Sequence, residues 1–312
     1  MPAALEVLKP GLFTTVQDLG RYGYQKYGVS VSGAMDFFSH RVANRLVGNR
    51  DDAATLECTI LGPTLRFLDD SLISVTGADL SPRLNNEPVE MWKSQHVSKG
   101  SELNFGPCRS GCRTYLSIGG GFDVPEVLGS RSTHVRTQLG GLEGRALRKG
   151  DVLRHGENRT NSAPRAFESP MVHQILTSKI LRILPGPQSD RVEPESLKIF
   201  EQQKYRVSTR SDRMGIRFEG ASLRHLGGAD IVSDALPYGT IQLPADGLPI
   251  LLTADRQTTG GYPKIAILVT ADFPVAGQLK PGDEVKFQGI SSIDSTLALR
   301  TLEAALNSLP PC

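Results

Sequence analysis

The chain has 312 residues, of which 39% are hydrophobic and 22% are charged, a composition typical of a soluble globular protein of about two domains. The formal net charge of +2 excludes the broad basic field of a nucleic-acid-binding protein. No apolar stretch is long enough to cross a bilayer, and the N-terminus lacks the basic region and apolar core of a signal peptide. We therefore expect a cytoplasmic protein.

The cysteines and histidines do not predict a metal site. The four cysteines are too few and too scattered for a disulfide framework, and Cys108 and Cys112 are separated by three residues rather than by the two of a zinc knuckle. The six histidines form no close pair at metal-ligand spacing. A metal bound at Cys108 and Cys112 is the less favoured alternative.

The first clear helix is predicted to begin at Asp36, whose side chain can cap a helix N-terminus. Its apolar face recurs at helical spacing, and Gly48 stands where a C-terminal cap is expected. The residues of that face are Phe38, Val42, Leu46 and Val47. His40 lies elsewhere on the helix, and we interpret it as a solvated or locally hydrogen-bonded side chain.

Most of the remaining chain favours β-structure, because 32 glycines and 20 prolines punctuate many short apolar runs. The predicted elements include strands at 5–8, 65–68, 72–75, 115–118, 180–184, 205–208 and 240–243, a hairpin turn at 84–87, and helices at 195–203 and 295–309.

A short internal repeat suggests two related β-barrel domains. Residues 147–155 (LRKGDVLRH) resemble residues 279–287 (LKPGDEVKF), since each pairs a basic residue with a Gly-Asp turn and a following strand. Such turns can deliver the strand that closes a barrel. The polar residues 157–170 are interpreted as the connection between the two copies.

Residues 255–263 (DRQTTGGYP), called the 255–263 loop below, gather polar side chains around a Gly-Gly pair between two apolar runs. Glycine tolerates positive φ and brings backbone N–H groups close to a ligand, which suggests a small anion or carbonyl site. The alternative is a hairpin loop of ordinary turn residues. Asp255 could act as a base, or could form a structural ion pair with Arg256 or Arg213.

A second candidate anion site contains Ser130, Arg131 and Thr133, because hydroxyl groups and a guanidinium suit carboxylate or phosphate oxygens. A capping or turn role for the hydroxyls remains open. The triple glycine at 119–121 lacks the spacing of a dinucleotide fingerprint, and the chain contains no phosphate-binding P-loop motif.

Seven segments, taken together and in order, resemble the allophanate-hydrolase-subunit-2 type family, also called the biotin-dependent carboxyltransferase-like family. They are residues 14–21 (TTVQDLGR), 33–36 (GAMD), 43–49 (ANRLVGN), 128–133 (LGSRST), 185–188 (PGPQ), 212–215 (DRMG) and 257–263 (QTTGGYP). The resemblance covers nearly the whole chain. It implies a mainly β protein with a few helices, built from two cyclophilin-like β-barrel domains, which we place at 1–160 and 171–312.

The family implies three settings for such a chain. One is the ATP-dependent 5-oxoprolinase complex, in which a C subunit acts with subunits A and B to convert 5-oxo-L-proline to L-glutamate. The second is the carboxyltransferase part of urea carboxylase, and the third is a non-catalytic regulator that antagonises a kinase inhibitor. The sequence contains no biotinyl-lysine motif and no ATP-grasp-sized segment, so we expect a 5-oxoprolinase C subunit rather than a self-contained carboxylase.

The expected site combines both polar clusters. The candidate catalytic residues are Asp255, Arg213 and Arg131, and the candidate substrate-binding residues are Ser130, Thr133, Gln257, Thr258, Gly260, Gly261 and Tyr262. ATP is expected to be shared with or supplied by the partner subunits, and biotin is expected only under the carboxyltransferase alternative.

Overall fold

A computed structural model describes residues 2–156 and 163–310, so part of the predicted connection at 157–170 lies outside the described residues. The predicted fold class, mainly β with a few helices, is confirmed. The chain forms two compact units, and neither is one continuous stretch. Unit 1 comprises Met1–Arg21, Ser32–Thr177 and Glu303–Cys312, and unit 2 comprises Tyr22–Val31 and Ser178–Leu302.

Unit 1 divides its strands between two sheets. The seven-stranded sheet has the order β11-β12-β1-β4-β9-β6-β7, and the five-stranded sheet has the order β2-β3-β10-β5-β8. The elements are β1 (Ala3–Lys9), β2 (Phe13–Gln17), α1 (Phe37–Leu46), β3 (Thr55–Thr59), β4 (Thr64–Phe67), β5 (Ser71–Asp79), β6 (Arg83–Leu84), β7 (Glu87–Pro88), β8 (Ser94–Val97), β9 (Glu102–Asn104), β10 (Ser110–Ile118), β11 (Phe122–Asp123), β12 (Val152–His155) and α2 (Pro170–Thr177).

Strand β5 shows how the alternation of side chains builds unit 1. Ile73 and Val75 belong to the hydrophobic core that both sheets supply. Their neighbours point to the opposite face, as the two-residue period of a strand requires. There the hydroxyls of Ser74 and Thr76 donate hydrogen bonds to backbone carbonyls of α1, at 2.7 Å each. The helix is thereby fixed on the outer face of the five-stranded sheet.

Helix α1 confirms the predicted cap, and His40 is a hydrogen-bonded side chain rather than a solvated one. The Asp36 side chain accepts a hydrogen bond from the Ser39 N–H at 2.9 Å. His40 is fully buried, because α1 is covered around almost its whole circumference. Its ring nitrogens lie 2.9 Å from Thr55 Oγ1 and 3.0 Å from the Asp51 carbonyl. Burial lowers the pKa of His40 to about 4, so the imidazole is neutral at pH 7.

Unit 2 is built on a closed barrel with the strand order β13-β20-β17-β18-β15-β14-β21. Buried aromatic rings pack in stacked and edge-on pairs in unit 2, with Phe200 and Phe287 at a centroid distance of 4.3 Å. The elements are β13 (Ile180–Pro185), α3 (Pro194–Gln202), β14 (Lys204–Val207), β15 (Gly215–Glu219), β16 (Asp234–Ala235), β17 (Thr240–Gln242), β18 (Ile250–Leu252), β19 (Thr259–Gly260), β20 (Lys264–Leu268), α4 (Phe273–Gly277) and β21 (Glu284–Gly289). Helix α5 (Ser292–Asn307) begins in unit 2, and its residues from Glu303 onward are assigned to unit 1.

The repeated Gly-Asp segments, 147–155 and 279–287, form the same turn in both units, as the sequence predicts. Gly150 and Gly282 adopt φ values of +88° and +89°, a conformation that favours glycine. Their N–H groups donate to the carbonyls of Val7 and Val207, at 2.8 and 2.9 Å. Each turn leads into a strand, and those strands, β12 and β21, pair antiparallel with β1 and β14 respectively.

Candidate functional site

The first polar cluster is centred on Asp18, which follows β2 in unit 1 and is 6% exposed. Its Oδ1 accepts hydrogen bonds from Ser130 Oγ at 2.7 Å and from the Gly20 N–H at 2.8 Å, and also from the Ser132 hydroxyl. Its Oδ2 accepts the backbone N–H of Arg131. One carboxylate therefore fixes the segment around Ser130 to the end of β2, through charge-assisted hydrogen bonds.

The two hydroxyl residues predicted to bind substrate in unit 1 are both buried, Ser130 at 1% exposure and Thr133 at 0%. Ser130 donates to Asp18, and Thr133 Oγ1 donates to the Val16 carbonyl at 2.9 Å. These contacts favour the turn role that the sequence left open. Their role in substrate binding stays a prediction.

A cavity of about 730 Å³ opens beside this cluster and has a strongly polar lining. Arg131 contributes a guanidinium that is 37% exposed and lies 3.3 Å from the Glu126 carboxylate. Both charge signs and several bare glycine backbones face the same space, which suits a small polar ligand. The lining residues are Asp18, Leu19, Gly20, Gly48, Asn49, Arg50, Asp52, Ala53, Ala54, Gly120, Gly121, Phe122, Asp123, Glu126, Gly129, Arg131 and Gly156.

The second polar cluster is the 255–263 loop of unit 2, which contains β19 and pairs with β16 through Asp234 and Gly260. Neither Gly260 nor Gly261 adopts a positive φ, so left-handed backbone is not the reason for glycine here. A Cβ on Gly260 would lie 2.8 Å from Leu236 Cδ1 and 3.0 Å from Gln242 Nε2. Close packing by neighbouring side chains explains this glycine.

Arg213 and Asp255 form a buried ion pair, with side chains 7% and 8% exposed. Arg213 Nε lies 2.9 Å from Asp255 Oδ2, and Nη2 lies 3.0 Å from Oδ1, which is the bidentate geometry of a strong pair. The Asp255 N–H also donates to the Arg213 carbonyl at 2.8 Å. These contacts favour the structural ion pair among the alternatives for Asp255, and the catalytic roles of both residues stay predictions.

Gln257 and Tyr262 present their side chains to solvent, with Tyr262 39% exposed, and Thr258 is half-buried. The backbone beneath them is fixed, because Gln242 Nε2 donates to the Tyr262 carbonyl at 3.2 Å and Leu236 N–H donates to the Thr258 carbonyl at 3.0 Å. Accessible polar side chains on a rigid support can contact a ligand, and this assignment also stays a prediction.

Sequence reasoning did not select Arg256, which is 8% exposed. Its Nε donates to the Leu236 carbonyl at 2.8 Å, and its Nη1 lies 3.3 Å from the Thr253 carbonyl. The guanidinium carbon lies 5.6 Å from the centre of the Tyr238 ring, a cation–π distance. The sequence left Arg256 and Arg213 as alternative partners of Asp255, and the structure pairs Asp255 with Arg213.

The described part of the chain has neither a metal cluster nor a membrane-spanning helix. Within residues 2–156 and 163–310, no group of three or more histidine, cysteine, aspartate or glutamate side chains is arranged to hold a metal ion. Over the same ranges, no helix combines the length and the apolar character needed to cross a membrane.

Residues 27–289 match the family described as "Carboxyltransferase domain, subdomain A and B", and the chain belongs to this family. The resemblance predicted from the seven segments is thereby confirmed. The chain is 38% identical to the 5-oxoprolinase C subunit of Escherichia coli over 91% of its own length and 90% of that protein.

Two larger proteins contain a similar region. Urea amidolyase of Lachancea kluyveri is 37% identical over 99% of this chain, which covers 18% of that protein. The crystal structure of the K. lactis urea amidolyase superimposes with a TM-score of 0.90 at 33% identity, over 100% of this chain and 20% of that one.

Proposed function

We propose that this chain is the C subunit of an ATP-dependent 5-oxoprolinase, which acts with subunits A and B to convert 5-oxo-L-proline to L-glutamate. The observation that carries the proposal is the similarity to the E. coli C subunit over 91% of this chain and 90% of that protein. The match to urea amidolyase, in contrast, covers 18% of a much longer protein.

The proposed chemistry transfers the γ-phosphoryl group of ATP to the lactam oxygen of 5-oxoproline. One water then attacks the activated carbon, and the ring C–N bond breaks to give γ-glutamyl phosphate with the nitrogen protonated. A second water hydrolyses this acyl phosphate, and phosphate leaves. This sequence develops negative charge on oxygen, which preorganised N–H and hydroxyl donors stabilise. Because the chain has no P-loop motif, the proposal assigns the ATP site to a partner subunit or to a surface shared with one.

In the proposal, the accessible groups of each polar cluster bind a ligand within their own unit, and the buried groups position them. Arg131 lines the unit 1 cavity, and Gln257 and Tyr262 are exposed on the 255–263 loop. Both oxygens of Asp255 accept hydrogen bonds from Arg213. In this scheme the pair holds the loop in shape, because a base would first have to give up one of those bonds.

The test is reconstitution of the complex with its own A and B subunits. We expect 5-oxoproline-dependent release of ADP together with equal amounts of glutamate, and no turnover when this chain is omitted. The Gln257→Ala variant should lower kcat/KM by about tenfold, the loss expected from one hydrogen bond to a developing charge. A well-folded complex that releases no ADP in response to 5-oxoproline would overturn the proposal.

A carboxyltransferase is the second candidate, favoured by the family match and by the urea amidolyase relatives. In that case the same polar groups would bind carboxybiotin, and biotin would arrive on a partner protein. The discriminating experiment supplies free carboxybiotin with urea and measures transfer of the carboxyl group to urea, as formation of allophanate and free biotin. Allophanate formation without any response to 5-oxoproline in the full complex would favour this candidate.

A further inference from the structure

We propose that the buried guanidinium of Arg256 binds the carboxylate of a small organic acid in unit 2. The inference rests on the proposed function for the identity of that acid, 5-oxoproline, whose carboxylate lies outside the reacting lactam. It assigns ligand recognition to a residue distinct from the exposed side chains of the 255–263 loop.

The charge of Arg256 has no anionic partner in the part of the chain that the structure describes. Removing a guanidinium from water is costly, and proteins normally offset the cost with a carboxylate. Arg213, equally buried, has Asp255 at 2.9 Å, and Arg45 has Asp51 at 2.7 Å. No carboxylate lies within 4.0 Å of Arg256 among the described residues.

Hydrogen bonding at Arg256 is also incomplete. Its two bonds go to neutral carbonyls, those of Leu236 and Thr253, through Nε and Nη1. Nη2 has no hydrogen-bond partner among the described residues. It is not fully buried either, so this nitrogen is accessible to solvent. Arg256 therefore offers a charged donor edge to an incoming acceptor, as recognition of a carboxylate requires.

The position of the guanidinium is fixed before any ligand arrives. The Arg256 carbonyl accepts a hydrogen bond from Ser30 Oγ at 2.8 Å, and the side chain lies over the Tyr238 ring. That ring stacks on Phe273 at a centroid distance of 4.2 Å. A preorganised cation loses little entropy on binding, which strengthens the case for a ligand site.

The surroundings favour a small monoanion over a polyphosphate. Burial lowers the pKa of Arg256, and the neighbouring Tyr238 and Tyr22 act against this shift. Among the described residues, the guanidinium has an aromatic neighbour and no carboxylate within 4.0 Å. Polyphosphate sites gather several cations or backbone donors, whereas one guanidinium beside aromatic rings matches a single carboxylate on a small ring.

The experiment compares Arg256→Met with Arg217→Met in the complete A, B and C complex. Arg217 lies on β15 with an exposed side chain and is the matched loss of one positive charge from unit 2. We expect Arg256→Met to raise KM for 5-oxoproline by about 10- to 100-fold with kcat almost unchanged, as for loss of a charged hydrogen bond used equally in substrate and transition state. Arg217→Met should leave both constants at the wild-type values.

A second substrate separates recognition from a structural role. 5-Oxoprolinamide keeps the lactam and replaces the carboxylate by a neutral amide. Wild type and Arg256→Met should turn over this amide with equal kcat/KM, because the proposed contact is missing in both. Equal KM values for 5-oxoproline in the two arginine variants, or an equal loss on both substrates, would overturn the inference.

A third measurement separates failure of this inference from failure of the proposed function. If the wild-type complex shows no response to 5-oxoproline, the isolated chain is unfolded thermally in sodium acetate and in acetamide at matched ionic strength. Acetate should raise the Tm of wild type and of Arg217→Met, but not of Arg256→Met. An equal rise in all three proteins, or a rise in none, would overturn the anion site.

Discussion

Asp18 in unit 1 and Arg256 in unit 2 are charged groups buried to a similar degree, 6% and 8% exposed, but their charges are compensated differently. Asp18 accepts hydrogen bonds at both oxygens from backbone and hydroxyl donors. Arg256 has two neutral carbonyl partners and no carboxylate among the described residues. The difference separates two uses of a buried charge, since a saturated group fixes a loop and an unsaturated one is available to a ligand.

The largest expected effect on stability comes from replacing a buried arginine of unit 2 by methionine, and it should differ between Arg213 and Arg256. Arg213→Met should lower the free energy of unfolding by about 4 kcal/mol, because it leaves the Asp255 carboxylate buried without its partner. Arg256→Met should change it by less than about 1 kcal/mol, since the lost bonds to carbonyls are offset by removal of an unpaired charge.

Urea unfolding of the two variants and wild type, at one pH and ionic strength, measures this difference. Variants of equal stability would contradict the proposed difference, in which Arg213 neutralises a buried carboxylate and Arg256 does not. An Arg256→Met variant as unstable as Arg213→Met would assign Arg256 a structural role.

The next largest effect concerns His40 of unit 1. This buried side chain avoids the cost of a buried charge because its ring is neutral in the folded protein. Burial lowers the pKa of His40 to about 4, below its usual 6.5 in an unfolded chain. Between these values the unfolded state binds more protons, so stability falls as the pH falls from about 6.5 to about 4. The loss attributable to this group is on the order of 3 kcal/mol between pH 7 and pH 4.

Unfolding of wild type and His40→Gln at pH 7 and at pH 4 measures this contribution. Other acidic groups contribute to acid sensitivity in both proteins, so the quantity of interest is the difference between the two pH-dependent losses. We expect a smaller loss in His40→Gln. Equal losses would mean that His40 carries its proton in the folded protein.

Local signals in the sequence were sufficient for much of the fold. Asp36 and Gly48 mark the ends of α1 by capping chemistry that acts within a few residues. Asn85 and Asn86 adopt positive φ values in a two-residue hairpin, as their side chains favour. The turn at Gly150 depends on a positive φ at that one residue, which glycine favours, so the sequence could indicate it.

The candidate site depends on long-range pairing, which the sequence could not decide, since Arg213 was only one of two alternative partners of Asp255. Asp255 is adjacent to Arg256 but pairs with Arg213, which is far away in the chain and close only once the barrel has formed. Ser130 and Asp18 meet in the same way. Sequence composition could therefore select polar clusters, but it could not tell which charges in them are already compensated.

The smallest expected effect distinguishes the two glycines of the 255–263 loop. Gly260→Ala would place its Cβ 2.8 Å from Leu236 Cδ1 and 3.1 Å from Gln257 Nε2, so both side chains must move. Because these are flexible ends, we expect a loss of about 1 kcal/mol in the free energy of unfolding, together with a raised KM caused by displacement of Gln257.

Gly261→Ala is the matched control, because its nearest neighbour is the Ile231 carbonyl at 3.3 Å and it has no positive φ to preserve. Its stability and KM should lie closer to those of wild type. If both variants behave alike, close packing around Gly260 does not position Gln257, and the exposed side chains of the loop are held by the β16–β19 pairing instead.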